Sequence, residues 1–137
     1  MCDVVTSKPD VHDMVVVHRT FRQSCAELTE LVRGLRPGDP ARAQLVVEAV
    51  EFMLMGLEAH HVSEDGFLWP RLAARTDVRA EAIARMEEQH HRLAELVTRE
   101  RGALDGLAAH PRPALCEQVA AQLAELGSVL TAHMDEE

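Results

Sequence analysis

The chain contains no tyrosine, one tryptophan and three phenylalanines among its 137 residues. Such scarcity removes the aromatic, alternating signature of a sheet core and leaves Leu, Val, Ala and Met, which suit helix-on-helix packing. Cysteine is also sparse. Cys2, Cys25 and Cys116 are odd in number, widely spaced and free of any CxxC pattern, so neither a disulfide framework nor a thiolate zinc site is indicated. No apolar run approaches the roughly 20 residues of a membrane span, and the amino terminus lacks a charged-then-apolar leader. A soluble, cytoplasmic protein is expected. Positive charge is short as well: 14 basic residues stand against 23 acidic ones, for a net charge of −9. That balance disfavours nucleic acid and anionic lipid as partners.

The length fits a single domain over residues 1–137, large enough to bury a core without staples. Breakers at Arg36-Pro37-Gly38-Asp39-Pro40, from Gly66 to Asp77, and from Gly106 to Pro113 leave four helical stretches. These are predicted at about Asp10–Leu35, Ala41–Asp65, Val78–Leu104 and Ala114–Glu137, giving an all-α, up-and-down antiparallel four-helix bundle. The first carries Val11, Met14, Val15, His18, Cys25, Leu28, Val32 and Leu35 along one stripe. The second is apolar almost all round, through Val46, Val50, Phe52, Met53, Leu54, Met55 and Leu57, and is expected to be the most buried. In the third, His90 falls with Ile83, Met86, Leu93 and Val97, whereas His91 falls on the opposite, polar side. Trp69-Pro70 is expected to close the bundle end at the turn between the second and third helices.

Two phrases repeat. His60-His61-Val62-Ser63-Glu64 and His133-Met134-Asp135-Glu136-Glu137 each set a carboxylate four residues after a histidine, on one helical face. At about 1.5 Å per residue, His18 and His60 lie roughly 26 and 29 Å from the first turn, and His90 and His133 roughly 21 and 29 Å from the last. All four histidines therefore share one layer. His18, His60, His61, Glu64, His90, His133 and Glu137 make seven donors, too many for one ion. Two metals sharing two carboxylates fit better, with imidazoles in the remaining positions and about one position left open. Imidazole with carboxylate suits iron, zinc or manganese, and the lack of thiolate argues against an iron–sulfur cluster. The oxygen-rich di-iron set built on paired Glu-x-x-His motifs is absent.

His60-His61-Val62-Ser63-Glu64-Asp65 with Phe67-Leu68-Trp69-Pro70, Met86-Glu87-Glu88-Gln89-His90 and His133-Met134-Asp135-Glu136-Glu137 together resemble the bacterial hemerythrin-like, or HHE cation-binding, domains. The resemblance spans nearly the whole chain. It implies two iron ions, oxo- or hydroxo-bridged, that bind dioxygen or a related small molecule such as NO or hydrogen peroxide. His18, His60, Glu64, His90, His133 and Glu137 occupy ligand positions of that pattern. Met86 stands where oxygen carriers have a further histidine, four residues before His90, and a glutamate follows His133 by four rather than an aspartate by five. His61 is expected to supply the missing ligand, with Glu87 as the competitor. His12, His91 and His110 are expected at the surface, and Asp65, Asp135 and Glu136 are equally open to orienting imidazoles or to facing solvent. The expected function is binding of O2 or a related ligand for sensing, storage or stress response; decomposition of hydrogen peroxide at the same irons is the alternative. Because the last donor, Glu137, ends the sequence, the natural protein is expected to continue beyond it.

Overall fold

The computed structural model describes residues 12–75 and 77–137, so Cys2, Asp10 and Val11 lie outside the described residues. It contains α1 (His12–Arg33), α2 (Pro40–Ser63), a π-helical stretch (Glu64–Leu68), α3 (Trp69–Ala73), α4 (Ala80–Leu104) and α5 (Pro113–Glu136). Among the described residues there is no strand. The four long helices form the all-α bundle that the periodicity predicts, with α1 lying chiefly against α5, and α4 against α5.

The helix starts follow from local chemistry. The Asp39 side chain accepts a hydrogen bond from the Arg42 backbone N–H at 3.0 Å, and Pro40 opens α2. An acceptor at the cap satisfies an otherwise orphaned N–H, and proline costs nothing where no intrahelical N–H bond exists. Pro113 opens α5 in the same way. Leu54, Leu57, Leu93, Leu104, Leu107, Leu123, Leu126 and Leu130 are fully enclosed along the bundle axis, each burial stabilising by roughly 1.5 to 3 kcal/mol. At Gly127 a Cβ would lie 3.1 Å from the Cys25 Cβ, so the close approach of α5 to α1 depends on glycine there. Arg99 pairs with Glu125 on α5, and Arg101 reaches Glu51 and Glu58 on α2.

Two expectations need correction. The second helix does not stop near Asp65: it passes through the π-helical Glu64–Leu68 directly into α3, with the Trp69 N–H bonding the Glu64 carbonyl. Gly66 is tolerated because the wider turn keeps the backbone bonded, and Pro70 falls in the first turn of α3, where its missing N–H is not needed. Trp69 caps the bundle end as expected, enclosed with Ile83 and Met86. Nor is α2 buried all round. Phe52 and Met55, read from sequence as core, are 74% and 56% exposed, because no element among the described residues packs against the outer face of α2.

Glu100 is fully enclosed on α4, with neither carboxylate oxygen hydrogen-bonded. Burial pushes its pKa up to about 8, and burial, helped by neighbouring Glu100, raises the Cys25 thiol to about 11. Between about pH 4.5 and 8 the folded chain therefore holds a proton at Glu100 that the unfolded chain releases, and this contribution to stability fades as pH rises. Urea unfolding of wild type and Glu100→Gln at matched pH should give near-equal stabilities at pH 5. At pH 9 the variant should lead by on the order of 4 kcal/mol. A constant difference across that range would show that Glu100 does not titrate in the fold.

Candidate metal centre

Four helices deliver seven donors to one level of the bundle. His61, Glu64, His90 and His133 form one group whose ligand atoms all lie within 4.8 Å of one another; His18, His60 and Glu137 form a second. All seven residues picked out by sequence lie in these two groups, His61 among them, whereas Glu87 is exposed. His91, with its side chain 80% exposed, faces outward beside the inward His90. His12 and His110 are also exposed. Glu137 is exposed as a residue, yet its side chain is only 5% exposed: the terminal backbone faces solvent while the carboxylate turns inward. Its N–H bonds the His133 carbonyl at 3.2 Å, which closes the last turn.

The two glutamates tie the groups together. Glu64 Oε1 lies 3.1 Å from His60 Nε2 and 3.7 Å from His90 Nε2. Glu137 Oε2 lies 3.3 Å from His18 Nε2 and 3.6 Å from His133 Nε2. Each carboxylate thus reaches into both clusters. The connection also crosses between hairpins: His18 on α1 meets Glu137 at the end of α5, and His90 on α4 meets Glu64 at the start of the π-helical stretch that follows α2. The π-helical stretch begins at Glu64 and continues the chain so that Asp65, the next residue, reaches His90 on α4.

Protons can be assigned from the outer contacts. His90 Nδ1 donates to Asp65 Oδ1 at 2.8 Å. The Gln89 amide donates through Nε2 to Glu136 Oε2 at 2.9 Å, which leaves its Oε1 to accept from His133 Nδ1 at 2.6 Å. The two Nε2 atoms turn inward and lie 3.0 Å apart, too close for both to carry a proton. Burial holds His133 neutral by lowering its pKa to about 4, and His61 more strongly, to about 2. Desolvation likewise depresses the pKa of His18, helped by neighbouring His60. His18 Nε2, His60 Nε2 and both Glu64 oxygens are buried without hydrogen-bond partners.

Buried imidazole and carboxylate atoms left without hydrogen-bond partners are costly unless a cation occupies the space between them. The spacing fits a metal ion: two imidazole nitrogens at about 2.1 Å from one ion and at right angles lie about 3.0 Å apart. The donor set therefore suits a borderline metal bound by nitrogen and carboxylate oxygen.

Gln89 carries no metal-ligand chemistry of its own and was not identifiable from sequence beyond its place next to His90. Asp65 orients an imidazole directly and Glu136 does so through Gln89, with Arg85 holding Glu136 at 3.2 Å. Asp135 instead pairs with Arg22 at the surface. Aromatic rings wall the centre: Trp69 lies 6.0 Å from His90, Phe21 5.8 Å from His60, and His61 stacks on His90 at 4.1 Å.

A family model described as the hemerythrin HHE cation-binding domain matches residues 10–137. Neither the curated proteins nor the solved structures gave a match. If the clusters hold metal, His61→Ala should lower the metal retained after dialysis by about half or more, while Glu87→Ala should leave it at the wild-type level, as read by elemental analysis of folded protein. The reverse pattern would transfer the role to Glu87.

Proposed function

Because the chain belongs to the hemerythrin family of HHE cation-binding domains, we propose that residues 1–137 act as one domain holding two iron ions. On this reading the domain binds dioxygen or a related small molecule, such as nitric oxide or peroxide, for sensing, storage or stress response. The observation that carries the reading is the convergence of imidazole nitrogens and shared carboxylates in two adjoining groups, with His18 Nε2, His60 Nε2 and both Glu64 oxygens buried without hydrogen-bond partners. His61, His90 and His133 with both glutamates offer five protein donors to one ion. His18 and His60 with the same glutamates would hold the other with four, which would leave that ion free to take a small ligand. Bound iron would supply the electrons and the vacant coordination position that such a ligand uses.

A cavity of about 340 Å³ adjoins His18, lined by Val15, Arg19, Arg22 and Met134. Its described lining provides guanidinium groups, which do not release protons near neutral pH, and contains no carboxylic acid. Peroxide decomposition moves protons at each turnover and needs such a donor. Binding is the reading this lining supports better.

Absorption spectra of the iron-loaded protein in both oxidation states test the proposal. The oxidised protein should show a near-ultraviolet ferric band, and the reduced protein exposed to air should give a distinct spectrum that reverts when oxygen is removed. Sustained oxygen evolution from added hydrogen peroxide, abolished in His133→Ala, would replace binding with the enzymatic reading. A featureless spectrum in the iron-loaded protein would remove both.

A further inference from the structure

The outward face of α2 repeats an apolar pattern that the bundle does not use. Leu45, Phe52, Met55 and Val62 are 66, 74, 56 and 69% exposed, and they lie opposite the core face formed by Val46, Val50, Met53 and Leu57. Their spacing of seven, three and seven residues is that of a coiled-coil seam. Ala49, Gly56 and Ala59 lie along the same exposed face and would let a second helix approach closely.

The seam is symmetric about its own midpoint, between Met53 and Leu54. When an antiparallel copy of α2 is placed across a two-fold axis at that point, Leu45 comes level with Val62 of the second copy and Phe52 with Met55 of the second copy. A two-fold interface requires such self-complementarity, with each contact made twice. Beside the seam, between α1 and α2, lies an apolar cavity of about 300 Å³ whose lining includes Phe21, Leu28, Leu31, Phe52 and Gly56. It provides a hole for a side chain of the facing helix.

We propose that the outer face of α2 pairs antiparallel with the same face of a second copy, forming a two-fold dimer that leaves both metal centres intact. The four large side chains expose on the order of 450 Å², so two copies cover about 900 Å² of apolar surface before the flanking residues are counted. A specific interface needs roughly 1,000 Å², which places this dimer at the weak, concentration-dependent end. Charge on the flanks does not forbid it. Glu51 and Glu58 are both engaged by Arg101 of their own chain; Glu48, which lies within the seam between Leu45 and Phe52, accepts a hydrogen bond from Gln44 and comes level with the small Ala59 of the second copy. The net charge of −9 on each chain repels over longer range, so salt strengthens the pairing by screening.

Sedimentation velocity of the metal-loaded full chain, from about 5 to 200 μM and at low and physiological salt, tests this. The mass should rise from 15.2 kDa toward about twice that value with concentration, and at lower concentration when salt is present. Phe52→Glu should remain monomeric at the highest concentration while keeping wild-type helicity and metal content, because Phe52 touches neither donor group. A monomer at every concentration, or a dimer that Phe52→Glu leaves intact, would overturn the proposal and give the seam to another partner or the dimer to another face.

Discussion

Two imidazole nitrogens, His90 Nε2 and His133 Nε2, are held 3.0 Å apart and set the terms for the rest of this structure. At that distance no more than one of them carries a proton, and the carboxylate oxygens around them are acceptors too. The outer contacts fix the rings: Asp65 and Gln89 accept the Nδ1 protons, so His90 and His133 both turn Nε2 inward. The Arg85–Glu136–Gln89 chain fixes the amide that decides the His133 tautomer. Such outer partners commonly change metal affinity by about 10- to 100-fold.

The bundle works to keep that cluster at one height. Close contact between α1 and α5 at Cys25 and Gly127 sets His18 against Glu137, and the pairing of Arg101 with Glu51 and Glu58 draws α4 to α2, where His90 meets Glu64. Enclosed leucines beyond the cluster supply the stability that offsets the cost of burying so many polar atoms. Glu100 adds to that cost without joining the centre, and its elevated pKa marks a carboxyl group kept neutral by its surroundings.

Much of this was legible in the sequence, for identifiable reasons. A period of 3.6 residues separates His90 from His91, and an interval of four residues links each histidine to its glutamate, so helix identity and the seven donors followed from spacing. Equal helix lengths on either side of the turns put the histidines in one layer. The π-helical turn was hidden because Gly66 and Pro70 read as breakers in isolation, whereas a wider turn accommodates the one and a helix start accommodates the other. Gln89 was hidden because tautomer control depends on a contact 44 residues away along the chain. The outer face of α2 was misread because apolar residues all round a helix signal burial without saying whether the same chain supplies it.

The central claim is that two adjoining groups of donors hold one ion each. Crystals of the iron-loaded protein, measured on either side of the iron absorption edge, test it directly. The account predicts two anomalous peaks, one among His61, Glu64, His90 and His133 and one among His18, His60 and Glu137. A single peak, or a pair of peaks with His61 turned away from both, would contradict it.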